Sequence, residues 1–200
     1  MYTVGVEPAI GGATQAHYWS VYRASLESLR TRAAARHIYT QEEFVAELQN
    51  PAVLKYVGRD VEGVVQGMGM MSTDLNALPW INPDYFAARF PRHYATQRIY
   101  YCGIVLVHPD HQGGALFAQL MNAMLTRIGE EAAVGAFDVC RFNDETVGLP
   151  DKIRSVVKGN AGRVELLDVQ SYYAICFDDN ASDKAVPANG RARQRRAPRR

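Results

Sequence analysis

The sequence predicts a mixed α/β domain, and three observations carry that prediction. Apolar stripes at helical spacing alternate along the chain with short apolar, β-branched runs. An apolar run closed by His108-Pro109 gives way, through Gly113-Gly114, to a long helical pattern. The chain has 200 residues, 48% apolar and 22% charged, enough for one domain with a substantial core.

The elements follow in order. Residues 14–37 read as a helix, because Trp19, Tyr22, Leu26, Leu29 and Ala33 form one stripe at spacings of three and four. Thr40-Gln41-Glu42-Glu43 is a capping box, so a second helix starts at Gln41 and stops at Asn50-Pro51. Strands are expected over Val53–Arg59 and Val64–Ser72, joined by the turn Asp60-Val61-Glu62-Gly63. The connection Thr73 to Gln97 is long and rich in aromatics and proline. Asn82 as cap and Pro83 at the first position predict a short helix to Phe90 within it. Trp80, Tyr85, Phe86 and Phe90 there either pack or wall a pocket.

Arg98–Val107 reads as a strand covered on both faces. Leu116, Leu120, Met124 and Ile128 recur at i+4, which predicts a helix over Ala115–Val134. A strand over Ala136–Phe142, a helix over Asn143–Gly159, and strands over Arg163–Val169 and Tyr172–Phe177 complete the domain, expected to span residues 1–178.

The net charge of +1 conceals an asymmetry. The last twenty residues carry seven basic side chains against one acidic, about +6, which leaves about −5 on residues 1–180. Residues 179–200 hold one large aliphatic residue and cannot offset their ordering entropy, so a disordered Arg-rich tail is expected. It is either a solvated extension or a contact for nucleic acid or an acidic protein, though no aromatic is interleaved to stack on bases.

No apolar run reaches the roughly 18 residues of a membrane span, and the N-terminus lacks a signal-peptide pattern. Cys102, Cys140 and Cys176 form no Cys-x-x-Cys pair and no Cys/His cluster of ligand spacing. Free thiols, no metal and a cytoplasmic location are the expectation.

A helix that begins just after a strand leaves its first N–H groups unpaired at the positive end of the helix dipole. Glycines there remove the Cβ atoms that would bar a phosphate. Gln112-Gly113-Gly114-Ala115 therefore reads as a pyrophosphate cradle or as an ordinary strand-to-helix turn. It is neither a Walker A loop nor a dinucleotide fingerprint, since neither glycine spacing is present.

Val107-His108-Pro109-Asp110-His111-Gln112-Gly113 realises the pattern Val-x-Pro-x-x-Gln-Gly between a strand and an amphipathic helix. This resembles the acetyl-CoA-binding segment of the GNAT superfamily of N-acyltransferases, whose loop reads Arg/Gln-x-x-Gly-x-Gly/Ala. The element order over residues 14–177 is similar too. Ala115 and Phe117 stand where that loop carries a glycine and a small residue, and a phenylalanine beside the phosphates would narrow their approach.

The resemblance implies a mostly antiparallel central sheet flanked by helices, with acetyl-CoA or another acyl-CoA as co-substrate and no metal. It implies cofactor contacts from the backbone of Gln112, Gly113, Gly114, Ala115, Leu116 and Phe117. It implies that Val105, Leu106 and Val107 offer their strand edge to the pantetheine arm, and that Asn143 holds that arm beyond the next strand. The acceptor implied is a small-molecule primary amine, received between the first two helices and the Thr73–Gln97 connection.

Acyl transfer to an amine needs a proton acceptor, a donor to the tetrahedral oxyanion and stabilisation of the leaving thiolate. The glutamate that members of the superfamily often carry on the cofactor strand has no counterpart in Tyr101-Cys102-Gly103, and Asn143–Gly159 contains no tyrosine. The catalytic residues stay unassigned. Tyr101, Tyr100, His93, Asp138 and Tyr172 are the polar candidates, and His108 and His111 flank the loop. Cys140 has no evident cause for a lowered thiol pKa. The alternative expectation is a non-catalytic CoA- or ligand-binding module of the same fold, monomeric or dimeric.

Overall fold

The computed structural model describes residues 1–34 and 38–175. Among them, five strands form one sheet in sequential order: β1 (Thr3–Glu7), β2 (Val53–Arg59), β3 (Val65–Ser72), β4 (Ile99–Val107) and β5 (Val134–Ala136). β1 to β4 pair antiparallel, and β5 joins β4 in parallel. The expected mixed, mostly antiparallel sheet flanked by helices is what the chain forms.

Two helices cover one face: α1 (Gln15–Leu26) and α2 (Gln41–Gln49). Tyr18, Val21, Tyr22, Phe44 and Leu48 pack there on Val53, Val57, Met68, Ile104 and Leu106. The capping box is complete, with the Thr40 hydroxyl accepting from the Glu43 N–H and the Glu43 carboxylate accepting from the Thr40 N–H. Within the Thr73–Gln97 connection, α3 (Pro83–Arg89) starts under the Asn82 cap as expected, and α4 (Pro91–Ala95) follows it directly. The other face carries α5 (Leu116–Glu130), with α6 (Leu149–Gly159) against its flank.

Three glycines fix how close α5 lies to the sheet. A Cβ on Gly58 would sit 2.5 Å from Leu116 Cδ1, and one on Gly69 would sit 2.5 Å from Met124 Sδ. One on Gly67 would meet the Leu106 carbonyl at 2.8 Å. These positions form a floor without side chains, into which Leu116, Leu120 and Met124 sink until fully buried.

The structure corrects several sequence expectations. The helix over 14–37 is α-helical only to Leu26; Glu27–Thr31 tightens into a 3₁₀ turn, and residues 35–37 lie outside the described residues. The Ser25 hydroxyl bonds the Val21 carbonyl at 2.8 Å and the Val107 carbonyl at 3.1 Å, tying this end of α1 to the end of β4. The helix over Ala115–Val134 ends at Glu130. Ala132 adopts φ +47, and its N–H and that of Ala133 bond the Gly129 and Ile128 carbonyls. This is a Schellman cap with alanine where glycine is usual, so the sequence offered no glycine to mark it.

Gln97 and Ala161, the other non-glycine residues of positive φ among the described residues, close α4 and α6 with the same pair of bonds. An alanine in the left-handed region carries a Cβ clash that glycine lacks. Ala132→Gly is therefore expected to stabilise the fold by about 1 kcal/mol, raising Tm by roughly 2–4 °C in a thermal melt.

The strand over Ala136–Phe142 is only three residues long and ends at Ala136, and Phe142–Thr146 winds as a single wide turn before α6. The strands over Arg163–Val169 and Tyr172–Phe177 do not form across residues 163–175; residues 176 and 177 lie outside the described residues. Strand-like composition makes a strand only where a ladder forms, and residues 163–175 join none of the five strands. Instead, the Tyr85 hydroxyl donates to the Leu167 carbonyl at 3.0 Å, and Arg89 pairs with Glu165 at 2.8 Å. β1 had no counterpart among the sequence expectations. It is a largely exposed edge strand specified by its ladder with Lys55–Arg59. The Arg-rich residues 179–200 also lie outside the described residues.

Candidate active site

The site is built around the second half of β4. β5 pairs with β4 only from Ile99 to Tyr101. From Cys102 onward, the β4 edge facing away from β3 has no strand partner among the described residues. On the β3 side, Met70 pairs with Ile104 and Met71 with Cys102, so Gly103 is an extra residue in a β-bulge. The bulge changes which residues face which side. Tyr101 and Ile104 lie on the α1/α2 side of the sheet, while Cys102, Val105 and Val107 face α5. Gly103 is exposed at the point where β4 and β5 begin to part.

The glycine-pair loop follows directly. Pro109–His111 makes one 3₁₀ turn, and Gly113 then takes φ +82, a conformation glycine adopts without strain. Gln112, Gly113, Gly114 and Ala115 are all exposed. No side chain caps α5, and its first backbone bond runs from the Gln119 N–H to the Ala115 carbonyl. The N–H groups ahead of Gln119 are thus presented outward at the positive end of a 15-residue helix. Added Cβ atoms would meet nothing within 4 Å at Gly113 and only the His111 carbonyl at 3.5 Å at Gly114. The approach to this backbone is open.

The remaining predicted positions sort as follows. Gln112 Nε2 donates to the Val107 carbonyl at 3.1 Å, so with Ser25 it braces the strand end behind the loop. Leu116 is fully buried on the sheet, and Leu106 is buried under α1. Phe117 is half-buried and packs with Val105 against both the sheet and the Met121–Ile153–Val157 cluster. Its ring is part of the packing around α5 and α6. Asn143 is half-buried in the turn after β5. Arg32, past the end of α1, stacks over the Phe142 ring at 4.4 Å, which ties that segment to the turn after β5. Two side chains 110 residues apart left no signal of this contact in the sequence.

The catalytic candidates separate just as clearly. Tyr100 faces α5, donating to Glu131 at 2.6 Å in a group closed by the Arg127–Glu131 pair. It lies seven residues from Val107, roughly 20 Å along the strand from the glycine loop. His93 sits on α4, edge-on to Phe90. Tyr172 is exposed at 57% in the segment after α6. The Cys102 thiol is pushed up to about 12 by burial, and Cys102 and Cys140 are both free. His111 Nδ1 shares a hydrogen bond with the Tyr2 hydroxyl at 2.8 Å, beside the loop.

Tyr101 and Asp138, by contrast, come together. The Tyr101 hydroxyl donates to Asp138 Oδ1, and burial and that carboxylate together raise the phenol pKa far above its ordinary value. Trp80 stands beside the same hydroxyl and acts the other way on it, lowering that pKa. Trp80 is 46% exposed, and its ring lies 6.5 Å from Tyr39. Tyr39 continues through Tyr22 to Phe44 and Trp19. An aromatic wall thus runs from α1 to the bulge of β4. A separate cavity of about 330 Å³, between Thr73–Asn76 and Tyr94–Gln97, lies at the other end of β4 beside Ile99.

Among the described residues no His, Cys, Asp or Glu group has the makings of a metal site, and no helix is long and apolar enough to cross a membrane.

No protein-family model and no curated protein matches this chain. Solved structures match its fold. An aminoglycoside acetyltransferase from an uncultured soil metagenomic sample, solved with sisomicin, superposes with a TM-score of 0.52 at 11% identity, covering 88% of this chain and 97% of that one. The ribosomal-protein-S18-alanine N-acetyltransferase of Escherichia coli gives 0.51 at 10% identity, covering 76% of each chain. The F44R mutant of the BH1408 protein of Bacillus halodurans gives 0.51 at 13% identity, covering 86% of this chain and 99% of that one.

Proposed function

For this chain, which has the fold of the GNAT N-acyltransferases, we propose an acyl-CoA-dependent N-acyltransferase that moves an acyl group, by preference acetyl, to a small-molecule primary amine. One observation carries the reading: the unpaired edge of β4 leads directly to the uncapped, glycine-opened N-terminus of α5. That pairing offers a slot for an extended amide-bearing chain and, at its end, N–H groups for a pyrophosphate.

Acetyl-CoA supplies the activated acyl thioester. The chain's own residues do the rest. N–H groups of Gly113 to Phe117 bind the phosphates, with Gly113 and Gly114 keeping the approach clear. The edge of Val105 to Val107 aligns the arm, and the Asn143 amide meets it from beyond β5. A backbone N–H of β4 between Gly103 and Val105 donates to the oxyanion. The aromatic wall of Trp80 and Tyr39 shields the amine side from water. Holding amine and thioester side by side supplies much of the acceleration.

Release of free thiol from acetyl-CoA, measured across a panel of primary amines, tests the reading. Amine-dependent release is the expected result. Acetyl-CoA binding without amine-dependent release would mark a binding module instead.

A further inference from the structure

β4 runs Ile-Tyr-Tyr-Cys-Gly-Ile-Val-Leu-Val and offers no carboxylate, so a proton acceptor for the amine must come from elsewhere. The register supplies one. Tyr101 pairs with Ala136 in the last rung of the parallel β4–β5 ladder, and Asp138 follows two residues on. That rung is the vertex at which the strands part. Asp138 is exposed, and the buried Tyr101 hydroxyl holds its Oδ1. Trp80 stands beside the same tyrosine. A carboxylate and an exposed indole therefore converge on one buried phenol, beside the bulge.

Resting on the acyltransferase reading, we propose that the acceptor is an aliphatic primary ammonium docked between Trp80 and Asp138, and that Asp138 takes its proton. A carboxylate and the face of an indole are the two groups that bind an alkylammonium best. The net charge of about −5 on residues 1–180 favours a cationic acceptor over an anionic one. The step balances. The ammonium passes one proton to the Asp138 carboxylate, and the nitrogen lone pair then forms the C–N bond at the thioester carbon. The C–S bond breaks with its electron pair on sulfur, and the second nitrogen proton passes to that thiolate. Asp138 then returns its proton to water. Asp138 is the catalytic residue in this scheme. Tyr101 is a positioning residue that orients the Asp138 carboxylate through its hydroxyl.

The test uses the full chain, with Asp138→Asn, Tyr101→Phe and Trp80→Phe variants. Acetyl-CoA affinity by calorimetry is expected to stay within twofold of wild type in all three. Turnover with butylamine is expected to fall at least 100-fold in kcat in Asp138→Asn. In Tyr101→Phe, kcat is expected to fall about tenfold with KM little changed. Butylammonium, titrated without acetyl-CoA, is expected to shift the tryptophan fluorescence, where pentanol does not. The shift is expected to vanish in Trp80→Phe, which assigns it, and in Asp138→Asn. An Asp138→Asn enzyme within twofold of wild type, or wild-type preference for aniline over butylamine, would overturn the assignment while leaving the acyltransferase intact. Wild-type protein that does not bind acetyl-CoA would overturn both.

Discussion

Gly113→Glu is expected to abolish acetyl-CoA binding. The substitution acts through charge and backbone together. Gly113 holds φ +82 at the entrance to the α5 N–H groups, and a side chain there meets no protein atom within 4 Å. The fold therefore accommodates the glutamate, whose carboxylate stands where the phosphates would come. Two like charges about 4 Å apart at a protein surface repel by roughly 4 kcal/mol, and left-handed strain adds about 1–2 kcal/mol. Affinity by calorimetry should fall at least 100-fold, which is about 2.7 kcal/mol. Gly113→Lys separates the causes, since it keeps the strain and reverses the charge, and should bind far better than the glutamate variant. Unchanged affinity in Gly113→Glu would remove the cradle from the proposed function.

Gly67→Val is expected to cost more stability than any surface change. The added Cβ would lie 2.8 Å from the Leu106 carbonyl, 3.1 Å from Leu116 Cδ2 and 3.2 Å from Leu120 Cδ1. A side chain tip can turn aside, but a backbone carbonyl in the β3–β4 ladder cannot. Overpacking of this kind typically costs 1–3 kcal/mol, and the second γ-methyl places this case at about 3 kcal/mol. For a chain of this size Tm should drop by roughly 6–12 °C. Gly5→Ala, on the exposed edge strand with nothing within 4 Å, is the control and should leave Tm nearly unchanged. A Gly67→Val protein that melts with wild type would show that α5 is not held by the glycine floor. The same contact serves the site, because Leu116 is the first residue of α5 and its seating on Gly58 and Gly67 sets where the helix N-terminus points.

Much of the fold was legible where a residue's local chemistry alone decides the outcome. Thr40 and Glu43 cap α2 because a hydroxyl and a carboxylate three residues apart satisfy each other's backbone. Asn82 and Pro83 start α3 for the same kind of reason. The i+4 stripe of Leu116, Leu120, Met124 and Ile128 became the buried face of α5. The errors fell where the deciding partner is remote. β1 has weak alternation and exists through its ladder with β2. Residues 163–175 have strand composition and join no ladder. The ends of α4, α5 and α6 are set by Gln97, Ala132 and Ala161 in a conformation their residue types disfavour.

The candidate site divides along the same line. By itself the sequence determined the glycine-opened entrance to α5, because glycine's freedom and the unpaired N–H groups of a helix start are properties of a few adjacent residues. It also determined the absence of a carboxylate from β4. Only the tertiary structure decided that Phe117 packs with Val105 and that Tyr100 and Tyr101 face opposite sides of the sheet. It alone brought Asp138 to the Tyr101 hydroxyl. Those outcomes depend on a bulge and a three-residue parallel ladder, where a shift of one residue turns every side chain to the other face. Register is a property of two strands together, and neither strand's sequence states it alone.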